Sequence, residues 1–160
     1  MLARQLKILQ WNVRSFYARL PYLQNLICDE AADVLCLQET FLNSKKQPTL
    51  NGFQIPFTQK DRINQRGGGV LIAVRSTIPA SPCHITSSLE IVGVEIHLPS
   101  ISLHIYSLYL PPDLSIQETS TGLNDLIGKL KHPFLMMCDA NAHHYSWGSE
   151  TTDARGDFIS

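Results

Sequence analysis

Short apolar runs dominate this chain, and their ratio to helical repeats most constrains its fold. "LKILQWNV" (6–13) alternates enough for a strand, and "DVLCLQET" (33–40) is short, apolar and continuous, as a buried strand is. "RGGGVLIAV" (66–74) begins with three glycines, and "PFLMMC" (133–138) is another buried run. "EIVGVEIHL" (90–98) and "SLHIYSLYL" (102–110) flank Pro99-Ser100 as the arms of a hairpin. "GFQIPF" (52–57) is weaker, because Pro56 limits it to an edge or an end. A helical period runs from Phe16 to Glu30 through Leu20, Leu23, Leu26 and Ile27, with Ser15 placed as N-cap. Another covers 115–131 through Ile116, Leu123, Leu126, Ile127 and Leu130, with Lys129, Lys131 and His132 near the end where cations suit the dipole. A third helix is expected from Arg155 onward. Strands outnumber helices by more than two to one, and most are not joined by helices. The expectation is a strand-rich α/β sandwich with helices covering the sheets, not a simple doubly wound sheet.

The 160 residues suffice for one domain with a buried core. Formal net charge is −1, so an acidic partner such as DNA must be met by a local basic patch. "KDRINQR" (60–66) offers Lys60, Arg62 and Arg66; a solvated loop is the default reading and phosphate contact the second. No apolar run reaches the roughly 20 residues of a membrane helix, and the N-terminus lacks the apolar stretch of a signal peptide. Cys28, Cys36, Cys83 and Cys138 form no C-x-x-C pair, which argues for reduced thiols in an intracellular protein.

Several strands stop at polar groups: Asn12, Gln38-Glu39, and Asp139 with Asn141. A fourth carries Tyr109 just before Pro111-Pro112. Strand ends sharing one edge of a sandwich would gather these groups. Glu39 could hold a hard divalent ion through oxygen. The amides of Asn12 and Asn141 could hold a phosphate or a water, and Asp139 could act as acid or base. Taken singly, each has a plainer reading: Asp139-Ala140-Asn141 as a turn, Glu39 as a solvated strand end, Tyr109 as a half-buried aromatic, Asn12 as a turn residue before a helix. His143 and His144 read as structural, because adjacent side chains point apart. Trp147 reads first as a core or loop anchor and second as a base-stacking group. The glycines at 67–69 are not a phosphate loop, as no Gly-Lys-Ser/Thr follows, and close strand packing is the expected reason.

"QWN" (10–12), "QET" (38–40), "YLPP" (109–112) and "DAN" (139–141) resemble, in the same order, the motifs of the endonuclease/exonuclease/phosphatase superfamily. "RGGGV" (66–70) and "DANAHHYSWGS" (139–149) narrow the resemblance to the endonuclease domain of non-LTR retrotransposons of the jockey-like and I-like group. The resemblance implies a DNase I-like four-layer α/β sandwich, two packed and mostly antiparallel sheets flanked by helices. It implies Glu39 as the main Mg²⁺ ligand assisted by Asn12, with Mn²⁺ as an alternative ion. Tyr109 would meet the scissile phosphate, Asp139 would activate the nucleophile or protonate the leaving oxygen, and Asn141 would hold phosphate and water. The implied activity is nicking of a DNA target to prime reverse transcription, with a reverse transcriptase domain on the parent polypeptide, a nuclear setting and no membrane. The superfamily's terminal Ser-Asp-His is absent from these residues. Residues 1–160 are therefore expected to form a single domain that is incomplete at its C-terminus and lacks its last strands. Two alternatives follow: a catalytically dead remnant that binds nucleic acid weakly, and a phosphoesterase of the same superfamily with another substrate.

Overall fold

The computed structural model describes residues 5–43, 47–54, 59–62 and 67–160, with Gln59 by its backbone alone. Two sheets face each other. The first contains β1 (Ile8–Asn12), β2 (Val34–Gln38), β3 (Phe53–Gln54), β4 (Gln59–Lys60) and β5 (Val70–Arg75). Its order is β1-β2-β5-β3, with β4 also on β5. The second contains β6 (Ala80–Cys83), β7 (Glu90–His97), β8 (Ser102–Tyr109) and β9 (Phe134–Asp139), in that spatial order. Helix α1 (Phe16–Glu30) joins β1 to β2, α2 (Ile116–Ile127) joins β8 to β9, and α3 (Ala154–Ile159) lies near the C-terminus.

Side-chain alternation builds the layers. Val34, Cys36, Val70, Ile72 and Val74 of the first sheet pack between the sheets against Val92, Val94, Ile96 and Ile105 of the second. The intervening Leu35, Leu37, Leu71 and Ala73 turn outward to Phe16, Leu23 and Ile27 of α1. On the other side Ile91, Tyr106 and Leu108 meet Leu126 and Leu123 of α2. The order is helix, sheet, sheet, helix, which is the four-layer sandwich expected.

Most pairings are antiparallel, but each sheet has one parallel pair, β1 with β2 and β8 with β9. Parallel neighbours need a crossover connection, and α1 and α2 supply it. Within each of these two βαβ units the strands therefore end side by side. Asn12 pairs with Gln38 in the first, and Tyr109 pairs with Asp139 in the second. In open α/β sheets the crevice beyond such carboxyl ends is the usual binding place.

Several local expectations hold. Ser15 caps α1, accepting from the Ala18 amide. The helix expected over 115–131 ends at Ile127, before Lys129, and it begins with a capping box of Ser115 and Glu118 that was not foreseen. Leu98 and Ile101 close the hairpin around Pro99-Ser100. The strand expected over 52–57 is Phe53–Gln54 only, and 55–58 lie outside the described residues. Strand β6 went unforeseen because it carries Pro82; among the described residues it pairs with β7 alone, and at such an edge a missing amide is tolerated. No described helix is long and apolar enough to cross a membrane.

Candidate active site

The chain gathers the strand-end residues through one amide. Asn12 Nδ2 donates to Glu39 Oε1 at 2.8 Å and to Asp139 Oδ2 at 2.6 Å. Tyr109 donates its hydroxyl to the same Glu39 oxygen at 3.0 Å. The Tyr109 ring is 4% exposed. Burial first, then the Glu39 hydrogen bond and the charges of Glu39, Asp139 and Glu90, push its hydroxyl well above the usual phenol range, so it stays a proton donor. The Asn141 backbone amide lies 3.3 Å from Asp139 Oδ1, and its side-chain amide donates to the Leu110 carbonyl at 3.0 Å. Asn12, Gln38, Asp139, Asn141, His143 and Trp147 line an open cleft of about 740 Å³. Glu39 and Tyr109 are not among its lining residues and connect to it through Asn12, which bonds Glu39, while Glu39 in turn accepts from Tyr109.

Backbone strain concentrates here. Arg14, Ser15, Glu39, Phe41 and Asn141 have positive φ; the other described non-glycine residue that does, Ala31, caps α1. Such conformations persist only where surrounding bonds impose them. At Glu39 they do so from two sides. The β1–α1 turn donates from Val13, Ser15 and Phe16 to the carbonyls of Gln38, Glu39 and Thr40. From the other side, Thr40 and Phe41 donate to the carbonyls of Gly69 and Gly68. The Gly69 amide in turn donates to Glu90 Oε2 at 2.6 Å. All three glycines, 67–69, are left-handed, and a Cβ on Gly69 would sit 2.6 Å from Thr40 Oγ1. The run thus serves close backbone packing beside Glu39.

Two cations of the basic loop have partners on this chain. Lys60 Nζ donates to the carbonyls of Ser87 (3.1 Å) and Leu89, and burial lowers its pKa against the opposing pull of Glu90. Arg62 pairs with Glu90 at 3.1 Å and with Asp113 at 3.2 Å. Both cations thus make bonds within their own chain; Arg66 lies outside the described residues. His143 and His144 bond Ser149 and Ser146 through Nδ1, and His144 also faces Asp157 at 3.7 Å. Trp147 is 46% exposed in a 3-10 turn (Tyr145–Trp147) with its ring 5.1 Å from that of His144.

Two residues near the site were not foreseen as part of it. Glu90 opens β7, a position to which the sequence pattern gives no role. Arg155 sits at the start of a six-residue helix, where no periodicity marks a buried face. Yet its guanidinium is buried and reaches the carbonyls of Leu110, Leu114, Ala140 and Asn141.

The donor set suits a hard divalent cation. Two carboxylates share one neutral amide, and among the described residues no Lys or Arg forms an ion pair with either. Like charges so close invite a positive partner with oxygen preference. No group of three or more His, Cys, Asp or Glu is arranged for a metal among the described residues. An ion of the Mg²⁺ type fits that sparse set, because it keeps several waters and takes one or two carboxylates plus a substrate phosphate.

Comparison with known proteins agrees with the fold. The model of the Endonuclease/Exonuclease/phosphatase family matches residues 9–159. A probable RNA-directed DNA polymerase from transposon X-element of Drosophila melanogaster is 26% identical over 155 residues, covering 94% of this chain and 17% of that protein. A DNA-(apurinic or apyrimidinic site) endonuclease of Dictyostelium discoideum is 29% identical over 160 residues, covering 88% of this chain and 43% of that protein. The chain thus spans less than half the length of either relative. Among solved structures, the endonuclease domain of TRAS1, a telomere-specific non-LTR retrotransposon, superposes with a TM-score of 0.74 at 23% identity, covering 96% of this chain and 67% of that one. That likeness concerns the fold, and the family match spans nearly every element described above. The chain belongs to the endonuclease/exonuclease/phosphatase family, whose members are nucleases and phosphatases.

Proposed function

We propose that this chain is a Mg²⁺-dependent DNA endonuclease domain of non-LTR retrotransposon descent that hydrolyses one phosphodiester bond of a target strand. The observation that carries the reading is Asn12 bridging Glu39 and Asp139 with no cation of the described chain beside them. Glu39 and Asn12 hold the ion, with Mn²⁺ as a substitute. When bound, the ion neutralises phosphate charge and lowers the pKa of a water. Asp139 orients the attacking water and accepts its proton as the water oxygen bonds to phosphorus; the bond from phosphorus to the 3′ oxygen breaks, a proton from solvent turns that oxygen into a 3′-hydroxyl, and the phosphate stays on the 5′ side. The second hydrogen of the Asn141 side-chain amide, and the neutral Tyr109 hydroxyl once it turns from Glu39, supply donors for the phosphate oxygens, where charge builds in the transition state. The substrate is DNA. A reverse transcriptase on a longer polypeptide, as the relationship to the fly polymerase suggests, would extend the freed hydroxyl. A nuclear setting follows from such a target.

A second reading, a domain that binds nucleic acid without cutting it, draws on the histidines. His143 lines the cleft, but its Nδ1 is paired with Ser149, and His144 is turned to Ser146 and Asp157.

Calorimetry with Mg²⁺ separates the first claim from a fortuitous cluster. Glu39→Gln keeps the shape and removes the charge, so it should weaken binding several-fold; an unchanged isotherm removes Glu39 from the metal site. Supercoiled plasmid should then be nicked in Mg²⁺, by these residues or by a longer chain carrying a Ser-Asp-His, and Asp139→Ala should abolish the nick. Plasmid left intact by both chains would favour the binding-only reading.

A further inference from the structure

We propose that Arg155 is the positioning residue of this site: its buried guanidinium ties the carbonyls of Leu110 and Leu114 after β8 to those of Ala140 and Asn141 after β9, and so fixes Tyr109, Asp139 and Asn141 against one another. The assignment rests on the endonuclease reading for its catalytic consequence and on geometry alone for the clamp itself.

Arg155 is 8% exposed, and among the described residues no carboxylate pairs with it. A buried charge is costly unless hydrogen bonds replace its water. Here backbone carbonyls do so. Nη1 donates to Ala140 at 3.0 Å, to Asn141 at 3.3 Å and to Leu110 at 3.5 Å, while Nη2 donates to Leu114. Bonds from a charged donor are shorter and stronger than neutral ones, and a planar fork can span acceptors that a single ammonium cannot.

The acceptors are not scattered. Leu110 and Leu114 flank the Pro111-Pro112 turn that follows Tyr109, and Ala140 and Asn141 form the left-handed turn that follows Asp139. Leu110 ties the two turns again, since its amide donates to the Asp139 carbonyl at 2.9 Å and its carbonyl accepts from Asn141 Nδ2. A polar relay also runs through one peptide unit. Arg155 pulls on the Ala140 carbonyl, and the amide of that same peptide, Asn141 N–H, points at Asp139 Oδ1. Hydrogen bonds in such a chain polarise one another, so the guanidinium strengthens the donor that holds the Asp139 carboxylate.

The helix is built to deliver this group. Asp153 caps α3 by accepting from Gly156, and its other oxygen accepts from the His143 amide at 3.1 Å. Gly156 lets α3 press on the loop, since a Cβ there would meet the His143 carbonyl oxygen at 1.9 Å. Arg155, between these two anchors, is aimed at the turns.

The test compares wild type with Arg155→Met and Arg155→Lys by NMR. The reporters are amide exchange at Leu110 and the side-chain NH₂ signal of Asn141, with core amides of β2 and β5 as internal controls. Arg155→Met should raise Leu110 exchange by roughly tenfold or more and shift the Asn141 NH₂ signal while the control amides keep their protection. Arg155→Lys should behave similarly, because one ammonium cannot span both turns, and it decides the matter if Arg155→Met fails to fold. Millimolar guanidinium should partly restore the Arg155→Met reporters. Where nicking is measurable, kcat should fall with KM for DNA nearly unchanged. Wild-type exchange at Leu110 in both variants, or loosening spread evenly into β2 and β5, overturns the clamp. Loss of the reporters' protection where neither these residues nor the longer chain nicks supports the clamp and counts instead against the endonuclease reading.

Discussion

Both hydrogens of the Asn12 side-chain amide are spent on carboxylates, and this fact orders the rest of the site at residue scale. Asn12, Glu39 and Asp139 close apolar runs and Tyr109 sits one residue before another closes, but it was the resemblance of the motifs around them to the family that marked them out in the sequence. Arg155 was not marked out, because a polar residue in a polar stretch gives no sign that it turns inward. The cysteines allow a separate check. Burial pushes the Cys36 thiol up to about 12, and burial does the same at Cys138, with Asp139 adding to the rise and Arg155 opposing it. A raised pKa leaves little thiolate, the reactive form. Cys28 is exposed. Iodoacetamide at mildly alkaline pH should label Cys28 in the native protein and Cys36 and Cys138 only after unfolding, as read by peptide mass spectrometry. Native labelling of Cys36 at the Cys28 rate would contradict the packing between the sheets.

At the scale of elements, the two helical crossovers decide where the chemistry sits. Most strands here are joined by turns, but the two parallel pairs joined by α1 and α2 carry Asn12, Glu39, Tyr109 and Asp139 at their carboxyl ends. The glycine run belongs to this level. Its role beside Glu39 depends on Glu90, which lies 21 residues further on, and local pattern says nothing about that partner. Gly69→Ala should destabilise the fold by at least about 1 kcal/mol from left-handed backbone alone, more if Thr40 must shift, and should weaken Mg²⁺ binding through Glu39. Chemical denaturation measures the first effect and calorimetry the second. A variant as stable as wild type would mean that the loop is not held as tightly as its bonds to Thr40, Phe41 and Glu90 indicate.

Seen whole, the molecule has two sheets whose edges differ. Among the described residues β1 pairs only with β2 and β9 only with β8, so each leaves one side unpaired. Leu135 on β9 is 41% exposed, with Phe158 and Ile159 of α3 also exposed. Unpaired edges bearing apolar side chains are templates for association. These residues should self-associate at high concentration, and Leu135→Lys should reduce the association in sedimentation velocity without loss of cooperative thermal unfolding. Equal association by both proteins would place the sticky surface elsewhere.

Local physics explains what the sequence determined by itself: where strands and helices run, that Ser15 caps α1, and which apolar runs stop at polar groups. Periodicity, capping and turn chemistry act within a few residues, so they can be read along the chain. Even the expectation of a sandwich followed from counting elements and their connections. Tertiary structure alone decided that Lys60 and Arg62 turn to their own chain, that the glycine run braces Glu39, and that Arg155 is buried between two turns. It also decided the meeting at Asn12, whose two carboxylate partners lie 27 and 127 residues away. Separations of that size are closed by strand order and register, which depend on how whole sheets pack and leave no trace in the spacing of any single segment.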